Sequence, residues 1–493
     1  MTARLPLSLS RAALAAAISS VLAAGPAAAA TPGVDEPPGA GPAVPLVVPP
    51  VVVKTLDNGL TVLVARRAAT PLVTVSVMLR AGAERDEAGK AGLADLTATL
   101  LTRGTRRAGK ALTTTDIARQ AETLGGDLTA ASAFGASELS MTVTTPRTGE
   151  ALDLLADLVR HPTFPDAEFK RTVAEKLDGL RLQMSQPGRV AGLAARRAWW
   201  GDSPYGASVT PASVGRITRA DIQRFHDRFY RPDIAAVVFA GDIDEATALA
   251  LAKRRFGDWK APKAALPAAD SAAPASKAPA LLSIDLGGVG QSGVVVAAPY
   301  VPVDAPTRYV AQVANAVLGG GYSARLNEEV RIKRGLAYGA SSRGDSQAPG
   351  GVVLAQAQTN NPTAGQVVDL VRGEITRLAE TPPPADELAA RQASLVGGFG
   401  RQLDTTATLA GLVGRQWTRG LPIADLNVYT ERVLAVTPTQ VRDFAAANWK
   451  PGSLRVVVAG DQSQSAEGLR KVAPDGVFVK LADVDFEKAA LVK

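Results

Sequence analysis

Residues 218–242, TRADIQRFHDRFYRPDIAAVVFAGD, return 219 positions later as residues 437–461, TPTQVRDFAAANWKPGSLRVVVAGD, without a gap. Thr218, Phe225, Pro232, Val237, Val238, Ala240, Gly241 and Asp242 recur in the same order as Thr437, Phe444, Pro451, Val456, Val457, Ala459, Gly460 and Asp461. Each copy opens with a threonine followed three residues later by a polar acceptor, Asp221 or Gln440, which is the pattern of a capped helix start. Each then reads as one helix, a Pro-bearing turn and a buried valine-rich strand that stops at Gly-Asp. The period is far longer than the roughly 20–50 residues of a solenoid repeat. Two lobes of about 200 residues related by duplication are therefore expected.

Working outward, two Pro/Ala/Gly-rich stretches mark boundaries. Residues 31–50 read as an extended arm and residues 259–281 as a linker, which leaves an N-terminal lobe over 51–258 and a C-terminal lobe over 282–493. In the first lobe, Asp57-Asn58-Gly59 between valine-rich runs predicts a hairpin. Val73, Val75, Val77 and Leu79 alternate with Thr74, Ser76 and Met78, which predicts a strand with one face on a core. A second alternating strand is expected over 138–144, and helices over 91–103, 115–124, 150–159 and 166–185. In the last of these, Phe169, Val173, Leu177, Leu180 and Met184 recur at helical steps. Hairpins mixed with helices indicate an α+β fold: two homologous lobes, each a mixed or antiparallel sheet with helices.

Residues 1–30 carry Arg4 and Arg11, an apolar stretch from Ala12 to Ala24, and Ala28-Ala29-Ala30 before Thr31. This is the pattern of a secretory signal peptide, and the apolar stretch is too short to span a membrane. The next apolar run, Val44 to Val53, is interrupted by Pro45, Pro49 and Pro50. The expectation is a soluble exported protein, periplasmic or secreted, with no membrane span after signal removal.

Composition narrows the chemistry. Of 493 residues, 46% are hydrophobic, none is cysteine and two are histidine. Disulfides, thiolate metal sites and a cysteine nucleophile are excluded. His161 and His226 lie too far apart in sequence for a local two-histidine zinc motif. The formal charge of +7 comes from 54 basic and 47 acidic side chains in mixed order, without the clustered basic face and aromatics of a nucleic-acid binder. No Gly-x-Ser-x-Gly nucleophile elbow occurs.

The segment Gly92-Leu93-Ala94-Asp95-Leu96-Thr97-Ala98-Thr99-Leu100-Leu101-Thr102-Arg103-Gly104-Thr105 resembles the active-site helix of the pitrilysin/insulinase family of zinc metallopeptidases, to which the mitochondrial processing peptidase also belongs. In that family an inverted His-x-x-Glu-His motif stands in this frame: two imidazoles hold zinc and the glutamate acts on the bound water. Here those positions are Asp95, Ala98 and Thr99. The likeness extends from about residue 50 to 465, through Leu56-Asp57-Asn58-Gly59-Leu60, Pro204-Tyr205-Gly206 with Ile217-Thr218, and Arg231-Pro232-Asp233 to Gly241-Asp242. The resemblance places the family's third ligand within residues 175–180, on Gly179 by register or near Lys176 by counting, with Glu175 and Asp178 close by. It therefore implies a degenerate site with no metal on this chain.

The second lobe keeps more. Gly319-Gly320-Gly321-Tyr322-Ser323-Ala324-Arg325-Leu326 through Arg331 to Tyr338 looks like the family's second-lobe signature. There an arginine and a tyrosine seven apart reach the substrate, and Arg331 and Tyr338 match that pair. A guanidinium can donate twice to a carbonyl or carboxylate, and a phenol can donate to a developing oxyanion. From spacing alone, Arg331 could equally lie on a solvated helix end and Tyr338 be a half-buried strand residue.

Other candidates are weaker. Gly288-Val289-Gly290-Gln291-Ser292-Gly293 enters a strand instead of opening a helix and reads as a turn. His161 and His226 read as structural, and Glu328 and Glu329 as solvated charges. What the resemblance implies is the non-catalytic subunit of an exported heteromeric zinc peptidase, binding and orienting peptides for hydrolysis at a zinc site on a partner. The implied assembly is a heterodimer with a zinc-motif-bearing homologue. The alternative is a peptide-binding or scaffold protein with no role in proteolysis.

Overall fold

The computed structural model describes residues 46–107, 109–268 and 273–492. The expected signal peptide, residues 1–30, and nearly all of the arm lie outside the described residues. Among those described, no helix is long and apolar enough to cross a membrane.

The first lobe is built on β1 (Val51–Thr55), β2 (Thr61–Arg66), β3 (Leu72–Leu79), β6 (Leu128–Ala133), β7 (Ala136–Thr144) and β8 (Ala235–Gly241), ordered β1-β2-β8-β3-β7-β6, with β4 (Gly104–Arg107) and β5 (Lys110–Thr113) as a separate ribbon. The second is built on β9 (Leu281–Asp285), β10 (Gln291–Tyr300), β11 (Ala337–Gln347), β12 (Gly350–Asn360), β13 (Arg455–Gly460) and β14 (Val477–Lys480), ordered β11-β12-β10-β13-β9-β14. Read from opposite ends, the two orders coincide strand for strand except at one edge. There the first sheet uses an antiparallel hairpin strand, and the second a parallel strand from the C-terminal region. The pairs β2–β8 and β9–β13 are both parallel, and the pairs β3–β8 and β10–β13 both antiparallel. The fold is α+β.

The helices that matter to the site are α1 (Leu93–Leu101), α2 (Thr114–Leu124), α3 (Thr148–Arg160), α4 (Asp166–Met184), α5 (Pro187–Trp200), α6 (Arg219–Phe229) and α7 (Glu245–Phe256) in the first lobe, and α8 (Arg308–Gly319), α9 (Ala364–Glu380), α10 (Ala385–Gln402), α11 (Thr406–Thr418), α12 (Pro438–Asn448) and α13 (Gln462–Val472) in the second. The duplicated threonines each close a capping box, Thr218 on Asp221 and Thr437 on Gln440. The offset of 219 carries α6 onto α12, α4 onto α10 and α5 onto α11.

The hairpin predicted at Asp57-Asn58-Gly59 joins β1 to β2, with Gly59 taking the left-handed turn position at φ 91°. Asn58 does not take that conformation. Its amide instead donates to the carbonyls of Phe256 and Trp259, pinning the turn to the end of α7.

One expectation fails instructively. β3 was expected to bury one face, yet Thr74 and Ser76 are as fully buried as Val73, Val75 and Val77. The cause is α11, which crosses from the second lobe and lays Leu409, Ala410 and Val413 on Leu63, Met78 and Val238. Thr74 Oγ1 donates to Thr406 Oγ1 at 2.8 Å. Its duplicate α5 does the converse, setting Val190, Ala191 and Ala194 against Leu282, Val295 and Val457 of the second sheet. Each sheet is thus closed by the other lobe's helix. A fully buried aliphatic side chain contributes about 1.5–3 kcal/mol, so this exchange binds the halves strongly. Trp259, at the head of the Pro/Ala-rich stretch, is packed into the first-lobe core.

Candidate functional site

Helix α1 presents a nearly sealed surface. Leu93, Ala94, Leu96, Ala98, Leu100 and Leu101 are buried, and only Asp95 and Thr99 among its residues reach partly into solvent. Its first turn has no ordinary cap, because Gly92 is left-handed at φ 103°. Asp86 supplies one from upstream, accepting from the amides of Gly92 (2.7 Å) and Ala94 (2.8 Å). Burial pushes the Asp86 carboxyl up to about 7, against the pull of those backbone donors.

Asp95, at the first position of the degenerate motif, is not open to a metal. Its carboxylate is 2.6 Å from the ammonium of Lys176 on α4. Thr99, four residues on, donates its hydroxyl to the Asp95 carbonyl at 2.9 Å. Ala98 is completely buried and offers no donor. Glu175 and Asp178 are exposed and engaged elsewhere, Glu175 with Arg171 and Asp178 with Arg181, each at 2.7 Å. Gly179 has no side chain to offer. Zinc would need three protein ligands from borderline donors at this place. The residues present supply one carboxylate, already neutralised by a fixed cation, and they do not fit the metal. No group of three histidine, aspartate or glutamate side chains suited to an ion occurs among the described residues.

His226 is buried with Nε2 2.8 Å from the Val159 carbonyl and its ring stacked on Tyr230. His161 closes the end of α3, where its carbonyl accepts from Thr105 and the Arg106 amide. Gly288 lies in the loop before β10, left-handed at φ 75°.

The second cluster is open. After α8, the glycine-rich loop leads into a short helix, Arg325–Asn327, which continues as a π-turn over Glu328–Ile332. This turn carries Arg331 outward, and its guanidinium lies 4.9 Å from the Tyr322 ring centre and 4.8 Å from that of Tyr338. Both rings are exposed, Tyr338 to 89% of its surface, so the half-buried strand position does not apply. A bulge between Ala337 and Ala340 breaks the β11–β12 register at Tyr338. Asn327, buried to 3%, holds the two segments together: its amide nitrogen donates to the Tyr322 carbonyl, and its oxygen accepts from the Ala340 amide at 3.1 Å. Sequence reading singled out Arg331 and Tyr338 but gave no role to Tyr322 or Asn327. An Asn directly before a paired Glu-Glu carries no pattern of its own.

One charge reading is corrected. Glu329 is not solvated: it is buried to 7% and paired with Lys333 at 2.6 Å and Arg334 at 2.5 Å. The hydrogen bond from Lys333 holds its carboxyl below the usual range. Lys333 and Arg334 are both engaged by this one carboxylate, whereas no ion pair to Arg331 is found among the described residues.

Residues 61–205 match the family described as insulinase (peptidase family M16), and residues 216–395 match the peptidase M16 inactive domain. The chain belongs to the pitrilysin/insulinase-type peptidase family. An uncharacterized zinc protease of Mycobacterium leprae is 28% identical over 396 residues, spanning 79% of this chain and 87% of that protein. A peptidase M16 inactive domain from Pseudomonas fluorescens superposes with a TM-score of 0.76 at 25% identity, covering 83% of this chain and 98% of the other. A protease from Helicobacter pylori shares the fold, with a TM-score of 0.77 at 20% identity over 84% and 100% of the two chains. Within this family the present chain has Asp95, Ala98 and Thr99 where the inverted zinc motif would stand.

Proposed function

We propose that this M16-type chain is the non-catalytic subunit of an exported heteromeric zinc peptidase. Its zinc and general base would sit on a homologous partner that carries His-x-x-Glu-His. What carries this reading is the contrast between the two clusters: the Asp95–Lys176 ion pair closes the metal position, while Arg331 stays unneutralised between two exposed tyrosines. Arg331 would donate to a substrate carbonyl or carboxylate, and Tyr338 to the oxyanion that develops as the peptide carbonyl is attacked. This chain would bring orientation and charge stabilisation, and the partner the attacking water.

The test is Arg331→Ala combined with Tyr338→Phe, assayed for peptide hydrolysis with the zinc-motif-bearing homologue. Loss of one preorganised oxyanion donor costs roughly 10²–10³ in kcat, so a fall in kcat of at least about a hundredfold with unchanged complex formation is expected. Unaltered hydrolysis would instead favour a scaffold role with no part in proteolysis.

A further inference from the structure

A cavity of about 310 Å³ opens in the second lobe between the start of α8, the far end of β11 and the α10–α11 region. Tyr300, Tyr309, Phe399 and Tyr429 form its walls. Three polar atoms facing it have no hydrogen-bond partner among the described residues. Gln312 Oε1 is buried without a hydrogen-bond partner, and neither the Tyr300 nor the Tyr429 hydroxyl has a partner among the described residues. Burial pushes both phenols up, Tyr429 to about 12, so both remain protonated donors. Buried polar groups are nearly always satisfied, so the buried Gln312 oxygen, with two unpartnered phenols beside it, points to a missing ligand.

The charge balance says what that ligand carries. Both carboxylates of the lining are taken, Asp425 by Arg308 at 2.7 Å and Asp345 by Arg196 at 2.8 Å. Arg343, Arg415 and Arg419 also line the cavity, and none of them pairs with a carboxylate among the described residues. Arg415 donates only to the neutral Gln402 side chain, at 2.9 Å. Three guanidiniums without an ion pair, Arg415 feeling only the Glu138 charge at longer range, stand over an aromatic box and favour a planar oxyanion on an apolar body. The volume is at the small end of the ~300–1,000 Å³ usual for ligand pockets.

We propose that this cavity binds a small carboxylate borne on an aromatic or aliphatic group, the C-terminal residue of a peptide or a free aromatic acid. The carboxylate would sit among Arg343, Arg415 and Arg419, and the apolar body against Tyr309, Phe399 and Tyr429. The site is separate from the Arg331 cluster and does not depend on the subunit role proposed above.

Calorimetric titration of the full chain tests it with N-acetylphenylalanine, the tripeptide Gly-Gly-Phe, and the C-terminal amide of each. At least one free acid is expected to bind at least tenfold more tightly than its amide. Binding by only the acetylated residue would mark a free acid as ligand, and binding by the tripeptide a peptide terminus. The exposed pair Arg343→Ala and Arg419→Ala should weaken the acid at least tenfold with an unchanged melting temperature. Gln312→Glu, which faces a carboxylate with another, should weaken it likewise. Equal affinity for acid and amide, no binding by any probe at millimolar concentration, or indifference to both variants would overturn the proposal.

Discussion

The ammonium of Lys176 lies 2.6 Å from the carboxylate of Asp95, although the two residues are 81 positions apart and on different helices. In a zinc-bearing member of the family a metal would neutralise this place. Here a lysine does, at about the position where counting put the third ligand. The pair is more than a third exposed on both sides, so its role is to occupy the position, not to stabilise the fold.

Two results follow for Lys176. Lys176→Ala should change the unfolding free energy by less than about 1 kcal/mol, measured by urea denaturation, because half-exposed pairs contribute little. Grafting two imidazoles, Asp95→His with Thr99→His, should give stoichiometric zinc only when Lys176→Glu is added. Equally tight zinc binding with Lys176 retained, read by metal analysis, would show that the ammonium does not block the position.

Asn327 and Tyr338 should separate structure from surface. Asn327→Leu strands the Tyr322 carbonyl and the Ala340 amide and is expected to cost about 1–3 kcal/mol. Tyr338→Ala, almost wholly exposed, should change stability by no more than about 0.5 kcal/mol. Chemical denaturation of both variants checks the contrast.

Much of this was legible in the chain. The duplicated segment fixed two similar lobes because caps, turn and buried strand are local features that recur at one spacing. The placement of Asp95, Ala98 and Thr99 on one helix was legible for the same reason: spacing along α1 is local. The burial of Thr74 and Ser76 was not legible, because it depends on α11 arriving from about 330 residues away. Nor was the bracket at Asn327, which joins a loop to a bulge through one amide, or the burial of Glu329 under Lys333 and Arg334.

The exchanged helices give a graded stability test. A Cβ at Gly293 would come within 2.5 Å of the Gly188 backbone at the start of α5, whereas one at Gly414 of α11 would meet the flexible end of Met78. Overpacking costs typically about 1–3 kcal/mol. Gly293→Ala is expected to reach the upper part of that range and Gly414→Ala the lower, measured by thermal or urea unfolding. The reverse order would contradict the close backbone approach.

Asp86 sets a pH dependence. In the unfolded chain its carboxyl ionises near 4, and in the folded chain at about 7. Between these values the folded state holds the extra proton, so the stability contributed by this group falls as pH rises from about 4 to 7 and levels off above. Asp86→Asn should remove that slope, so the difference in unfolding free energy between parent and variant should change across pH 4–7. A constant difference would contradict the buried, protonated carboxyl.

The central claim is a division of labour between this chain and a zinc-bearing homologue. It is tested most directly by hydrolysis of a fluorogenic peptide by this chain alone, by the homologue alone and by the mixture, each with and without a chelator. The expected result is hydrolysis that rises sharply on mixing and is abolished by chelation, with none from this chain by itself. Strong chelator-sensitive cleavage by the pure chain, or a stable complex with no gain in rate, would contradict it.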